Sequence, residues 1–133
     1  MKEKFSKRVQ SIIKQSKEEA IELGHSYVGS EHILLGLLKV NSGKGKKILD
    51  IFNINITEMI NSINTRIKTS GGTLNLGHLP LTRRAERILR NSYNEASSRG
   101  DSISDDIHLL LAMLKEPEGI ASRVLKSFSL DYE

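Results

Sequence analysis

Four arginines cluster in the second half of the sequence: Arg83, Arg84, Arg87 and Arg90. Arg84, Arg87 and Arg90 recur every three residues, so a helix would carry two to three cations on one side. Such a side could receive an acidic partner or a phosphate backbone; the plainer reading is a solvated face. Glu31 stands just after Gly29-Ser30 and before a long apolar run. That puts its carboxylate in the first turn of a helix, where the macrodipole favours negative charge. Ser6 and Thr82 each precede a helical pattern and supply a cap hydroxyl. His32 and His108 occupy matching positions in the two halves. Metal binding needs several converging ligands, and no second histidine lies at a helical spacing from either. Their recurrence points to a shared structural role, such as a bond to a nearby backbone group. Gly43-Lys44-Gly45-Lys46 is too short for a P-loop and lacks the hydroxyl residue after lysine. No catalytic constellation, metal site or cofactor motif emerges.

The composition narrows the class. A chain of 133 residues suffices for one domain with a real core. Cysteine is absent, which excludes disulfides, thiolate metal sites and cysteine nucleophiles. The charged start Met1-Lys2-Glu3-Lys4 leads into no apolar signal segment, and no apolar run approaches a membrane span. A cytoplasmic location is expected, with no membrane partner. The formal charge of +4 permits nucleic-acid or acidic-partner binding without demanding it.

The elements that position these residues follow from periodicity. The segment 30–40 carries Ile33, Leu34, Leu37 and Leu38 on one face and Leu35 off it. A helix that is apolar over most of its surface belongs in the middle of a domain, with Ser30 as its expected cap. The segment 5–23 reads as an amphipathic helix through Phe5, Val9, Ile12, Ser16 and Ala20, and ends at Gly24. Shorter helices are expected over 45–52 and 55–68, the second capped by Asn55 with Glu58 three residues on. The glycine-rich stretch 69–79 reads as a linker. Helices then follow from Thr82 to about Gly100, from Asp106 to about Lys115, and through Ile120, Val124, Leu125 and Phe128. No period-two stretch of useful length occurs, so the chain is expected to be all-α.

A constant shift of 76 residues aligns the two halves without a gap. Arg8 meets Arg84, Ser16 meets Ser92, Gly24 meets Gly100, His32 meets His108, Leu49 meets Leu125 and Phe52 meets Phe128. Agreement over about fifty positions, with helix ends in register, signals duplication. The expected organisation is a single domain over 1–133: repeat one at 5–68, a linker at 69–79 and repeat two at 80–133, packed about a pseudo-two-fold axis. The first repeat has a fourth helix for which the second shows no full counterpart. Exposed apolar surface is therefore expected near Val124, Leu125 and Phe128.

These residues resemble the Clp N-terminal domain of Clp-type AAA+ unfoldases, most closely the ClpC group. The resemblance is carried by the paired starts Phe-Ser-Lys-Arg-Val and Leu-Thr-Arg-Arg-Ala, by the run from Glu18 to Leu38 that includes Gly-Ser-Glu-His-Ile-Leu-Leu-Gly-Leu, and by Gly119 to Leu125. It implies two pseudo-symmetric four-helix repeats, the second lacking most or all of its last helix. It implies a recruiting domain for adaptors and substrate proteins, without catalysis of its own, feeding an ATP-driven ring and indirectly a ClpP-type peptidase. In ClpC-like domains the glutamate of Gly-Ser/Thr-Glu-His helps bind phosphoarginine, a degradation mark. Carried over, one site would use Ser6 and Glu31, the capped helix start holding phosphate and the carboxylate accepting from the guanidinium. The plainer reading is that both are only helix-start residues. Thr82 matches Ser6, but Ile107 stands where the second glutamate is expected, so at most one site is anticipated. Docking is expected at the two helix starts and in the groove between repeats, with Ser6, Glu31, Thr82, Arg83 and Arg84 as candidates. The alternative is a small basic helical nucleic-acid-binding protein, which steep salt dependence of DNA binding would reveal. A helix-turn-helix reader fits poorly, because both second helices are apolar and neither is a polar recognition helix.

Overall fold

Hydroxyl and amide caps start the helices where the sequence places them. Ser6 Oγ accepts from Val9 N–H at 3.1 Å, Asn55 Oδ1 from Glu58 N–H at 3.0 Å, and Thr82 Oγ1 from Ala85 N–H at 3.0 Å. The computed structural model describes residues 5–40, 43–67 and 80–130; the expected linker at 69–79 lies outside them. The described residues form seven helices: α1 Lys7–Glu22, α2 Ser30–Val40, α3 Lys44–Ile51, α4 Ile56–Arg66, α5 Arg83–Ser98, α6 Asp106–Lys115 and α7 Ile120–Ser127. No strand accompanies them among the described residues, as the periodicity requires.

One cap expectation needs revision, and one cap was not foreseen. Gly29, not Ser30, holds the cap position of α2: its carbonyl accepts from His32 and Ile33 N–H, and Ser30 is already helical. In α6 the cap is Asp105. Both helices then use their histidine in the same way. His32 Nδ1 accepts from Gly29 N–H at 2.8 Å, and His108 Nδ1 accepts from Asp105 N–H at 2.9 Å. The recurring histidines are thus helix-start acceptors that return a bond to the cap residue's backbone.

The helices α2 and α6 form the centre. Every residue of α2 from His32 to Leu38 is buried, Leu35 included. α2 packs against α1, α4, α5 and α7, while α6 packs against α5, α3, α7 and α1. The closest approach is α1 on α2. A Cβ at Gly36 would come within 2.7 Å of the Ile12 carbonyl oxygen and of Ser16 Oγ. Ser16 Oγ itself donates to that carbonyl at 2.7 Å, which locks the contact. An exposed helical glycine gains about 1 kcal/mol on becoming alanine, but overpacking against backbone costs about 1–3 kcal/mol. Gly36→Ala is therefore expected to destabilise the domain in urea unfolding, whereas its 76-residue mate is already alanine, Ala112.

The halves exchange their helix starts. Parallel bridges join Phe5 to Ser104 and Val28 to Leu81, and the 76-residue shift turns one pair into the other. Ser6 N–H donates to the Ser104 carbonyl at 2.8 Å, and Thr82 N–H to the Val28 carbonyl at 2.9 Å. Each repeat's first helix thus begins beside the other repeat's second helix.

The exposed patch expected on α7 is not found. Val124 and Leu125 are fully buried and Phe128 is half-buried. α4, from the first repeat, packs across α7, and Leu130 tucks under it with its N–H on the Leu125 carbonyl at 3.1 Å. Exposed large apolar side chains lie instead on and after α3, at Ile51 (74%) and Phe52 (55%), and singly at Ile21 and Ile103. Pairing within a repeat was the wrong premise: the fourth helix covers the other repeat's short helix.

Candidate functional site

Three helix starts converge on a cleft of about 410 Å³. α2 brings Ser30 and Glu31, α5 brings Thr82 and Arg84, and α7 brings Gly119, Ile120 and Arg123. Convergent N-termini concentrate partial positive charge and free N–H groups, which suits an anion. Gly119 has a φ of 112°, and a Cβ there would lie 2.8 Å from Arg84 Cδ. Glycine at this position therefore lets Arg84 lie flat across the start of α7.

Arg84 is weakly held. Its Nε lies 3.9 Å from Glu116 Oε1 and its Nη2 3.8 Å from the exposed Glu118, distances beyond hydrogen bonding. The buried Nε makes no hydrogen bond among the described residues. Glu116 is already taken by Arg87, which grips both carboxylate oxygens at 2.8 Å. Those N–H donors hold the Glu116 carboxyl below its usual range despite burial. In the same cleft, Glu31 is half-buried and enters no ion pair among the described residues. Its carboxylate rests on the bare Cα of Gly29, where a Cβ would meet Oε1 at 2.7 Å. Burial and the nearby Glu31 together raise the pKa of the Tyr27 hydroxyl above its ordinary value. The cleft thus brings a cation, three helix starts and a carboxylate together.

The five residues expected at a site do not gather in one place. Glu31, Thr82 and Arg84 share this cleft. Ser6 does not, which corrects the pairing of Ser6 with Glu31. The exchanged helix starts put Ser6 in a second cleft of about 270 Å³ with Lys44, Asp105 and Ile107. Arg83 is exposed and lines neither cleft. The arginine stripe is therefore not one free surface: Arg84 turns into the cleft and exposed Arg87 is bound to Glu116, leaving Arg83 and Arg90 as the exposed members that enter no ion pair among the described residues. Arg123 is a cleft residue that the stripe did not reveal; the signal for it is its place one turn past Gly119. Among the described residues there is no group of three or more His, Asp or Glu able to hold a metal, and no helix is long and apolar enough to cross a membrane.

The family description "Clp repeat (R) N-terminal domain" matches residues 4–128. Chaperone protein ClpC1, chloroplastic, of Oryza sativa subsp. japonica is 37% identical over 131 residues, 98% of this chain and 14% of that protein. The chain thus spans about one seventh of the length of the curated relatives it matches. The Hsp104 N-terminal domain from Candida albicans superimposes with a TM-score of 0.81 at 17% identity, covering 98% of this chain and 85% of that one. The N-terminal domain of ClpD from Arabidopsis thaliana gives 0.73 at 18% identity, covering 97% and 87%.

Proposed function

The chain belongs to the Clp repeat (R) N-terminal domain family, and from that premise we propose that it recruits adaptors and substrate proteins to a Clp-type ATP-driven unfoldase. We further propose that the cleft between Glu31 and Arg84 reads phosphoarginine on marked substrates. The observation that carries this reading is the pairing of opposite chemistries across one cleft. Phosphoarginine joins a phosphoryl anion to a guanidinium. Thr82, Arg84 and Arg123 sit where the helix starts of α5 and α7 would hold the anion. Glu31, without an ion pair among the described residues, lines the same cleft and can accept from the guanidinium. A nucleic-acid backbone offers only the anion and leaves the Glu31 carboxylate facing like charge. The bound substrate would be passed to an ATPase ring elsewhere in a longer protein and, indirectly, to a ClpP-type peptidase.

The test is capture of an arginine-phosphorylated unfolded protein on immobilised domain. Free phosphoarginine is expected to release it, and free arginine is not. Charge-assisted hydrogen bonds contribute about 1.5–3 kcal/mol each, so Glu31→Ala or Arg84→Ala is expected to weaken capture by about 10-fold to 100-fold. Capture that ignores the phosphoryl group, or survives both substitutions, would overturn the reading.

A further inference from the structure

The second cleft is built on the matching helix starts, and it differs first at the cap residue. Asp105 Oδ1 accepts from Ser6 Oγ at 2.9 Å, from Arg8 Nη1 at 2.9 Å and from Asp106 N–H at 2.8 Å. Its Oδ2 accepts again from Arg8 at 3.0 Å. The donors are a cap hydroxyl, a guanidinium and a helix-start N–H. Under the 76-residue shift their mates are Thr82, Arg84 and Ser30, all lining the first cleft. The mate of Asp105 is Gly29. The first cleft thus holds the donors without the acceptor, and Arg84 Nε is left with no hydrogen bond among the described residues.

We infer that Asp105 is a resident counter-ion that closes the second cleft, so that this chain presents one anion receptor instead of two. The inference rests on reading the first cleft as an anion receptor. Burial alone would raise the Asp105 carboxyl, but the Asp106 N–H, Ser6 and Arg8 outweigh it and keep the group charged. Asp106, next in the chain, ties α6 to the start of α3. Its buried Oδ2 accepts from Gly45 N–H at 2.8 Å, at the start of α3. That reach requires glycine at 43 and 45, because a Cβ at either would lie 2.6–2.7 Å from an Asp106 oxygen. In the first cleft the mates of Asp106 and Gly45 are Ser30 and Ala121, which bring no charge. The replacement of Glu31 by Ile107 then follows: a cleft that admits no phosphoryl group has no use for an acid to meet a guanidinium.

Exchanging the two cap residues tests this. Asp105→Gly copies Gly29, and glycine is an accepted cap. Gly29→Asp copies Asp105, and the nearest atoms to its new Cβ belong to the movable Glu31 carboxylate. Amide shifts are followed by NMR during titration with inorganic phosphate at constant ionic strength. In the unchanged protein, Ser30 and Ile120 are expected to shift saturably and Asp106 to stay still. In Asp105→Gly, Asp106 and the Arg8 guanidinium are expected to shift as well. In Gly29→Asp, the Ser30 response is expected to weaken at least tenfold. A folded Asp105→Gly variant whose Asp106 amide ignores phosphate would overturn the inference. So would an unchanged protein in which Asp106 responds as strongly as Ser30, or a Gly29→Asp variant that keeps the Ser30 response. A silent Ser30 beside a responsive Asp105→Gly would instead overturn only the receptor reading of the first cleft.

Discussion

Leu34→Ala is expected to lower the unfolding free energy by about 2–5 kcal/mol, the range for deleting a leucine side chain from a packed core. Leu34 is fully buried in α2, the helix that touches members of both repeats. No neighbouring face is solvent-exposed, so the site has little room to collapse onto the cavity. Urea unfolding checks the figure. Leu34→Met, which nearly conserves volume, is expected to cost less than about 1.5 kcal/mol. Ile51→Ala, at a residue 74% exposed, should stay within about 0.5 kcal/mol. A Leu34→Ala variant as stable as Ile51→Ala would mean that α2 is not the centre of the core.

The second large effect is loss of stability in mild acid through His32. This ring is fully buried. Its Nδ1 accepts from Gly29 N–H, so the neutral ring carries its proton on Nε2, which lies 2.8 Å from His25 Nδ1 and donates to it. Protonating Nδ1 would break the bond to Gly29, and no carboxylate contact is available to compensate in that arrangement. Burial, then the electrostatic influence of neighbouring His25, lower the His32 pKa to about 4. The unfolded chain binds a proton near pH 6.5 and the folded chain does not, so stability rises with pH between about 4 and 6.5. The contribution is whole above pH 6.5 and is lost as pH falls toward 4, amounting to about 3 kcal/mol over that window. Asp105 and Glu116 are held below their usual range and lose their contributions only at lower pH. Burial raises the Asp106 carboxyl, which acts with the opposite sign, so the His32 share is read as the difference between the unchanged protein and a His32 variant at pH 6.5 and at pH 5. His32→Asn keeps an acceptor for Gly29 N–H and should flatten the pH dependence between those values. An unchanged slope in the variant would assign the acid sensitivity elsewhere.

The helices were legible because periodicity and caps are local. Ser6, Asn55 and Thr82 cap as their types demand, and Gly24 and Gly100 take positive φ after α1 and α5. Leu35, lying off the main stripe of α2, correctly marked a helix covered on all sides. The repeat was legible because both halves keep their turns in register. What the sequence did not reveal was which half supplies each wall of a cleft. A 76-residue shift is equally compatible with starts that pair within a repeat or across it. The bridges at Phe5–Ser104 and Val28–Leu81 choose the second, and that choice moves Ser6 away from Glu31. The same crossing explains the covered α7 and the exposed Phe52. In the sequence Asp105 and Asp106 stand immediately before the Ile107 that takes the glutamate position. Their partners in Ser6, Arg8 and Gly45 are 61 to 99 residues away and belong to tertiary structure.

Calorimetric titration of the domain with phosphoarginine tests the central claim most directly. The account predicts saturable binding of one equivalent, lost in Glu31→Ala and in Arg84→Ala and untouched by Ser6→Ala. Two equivalents, or binding that depends on Ser6 and not on Arg84, would contradict the geometry of the cleft. No heat at any concentration that saturates related binding would contradict the reading of the cleft itself.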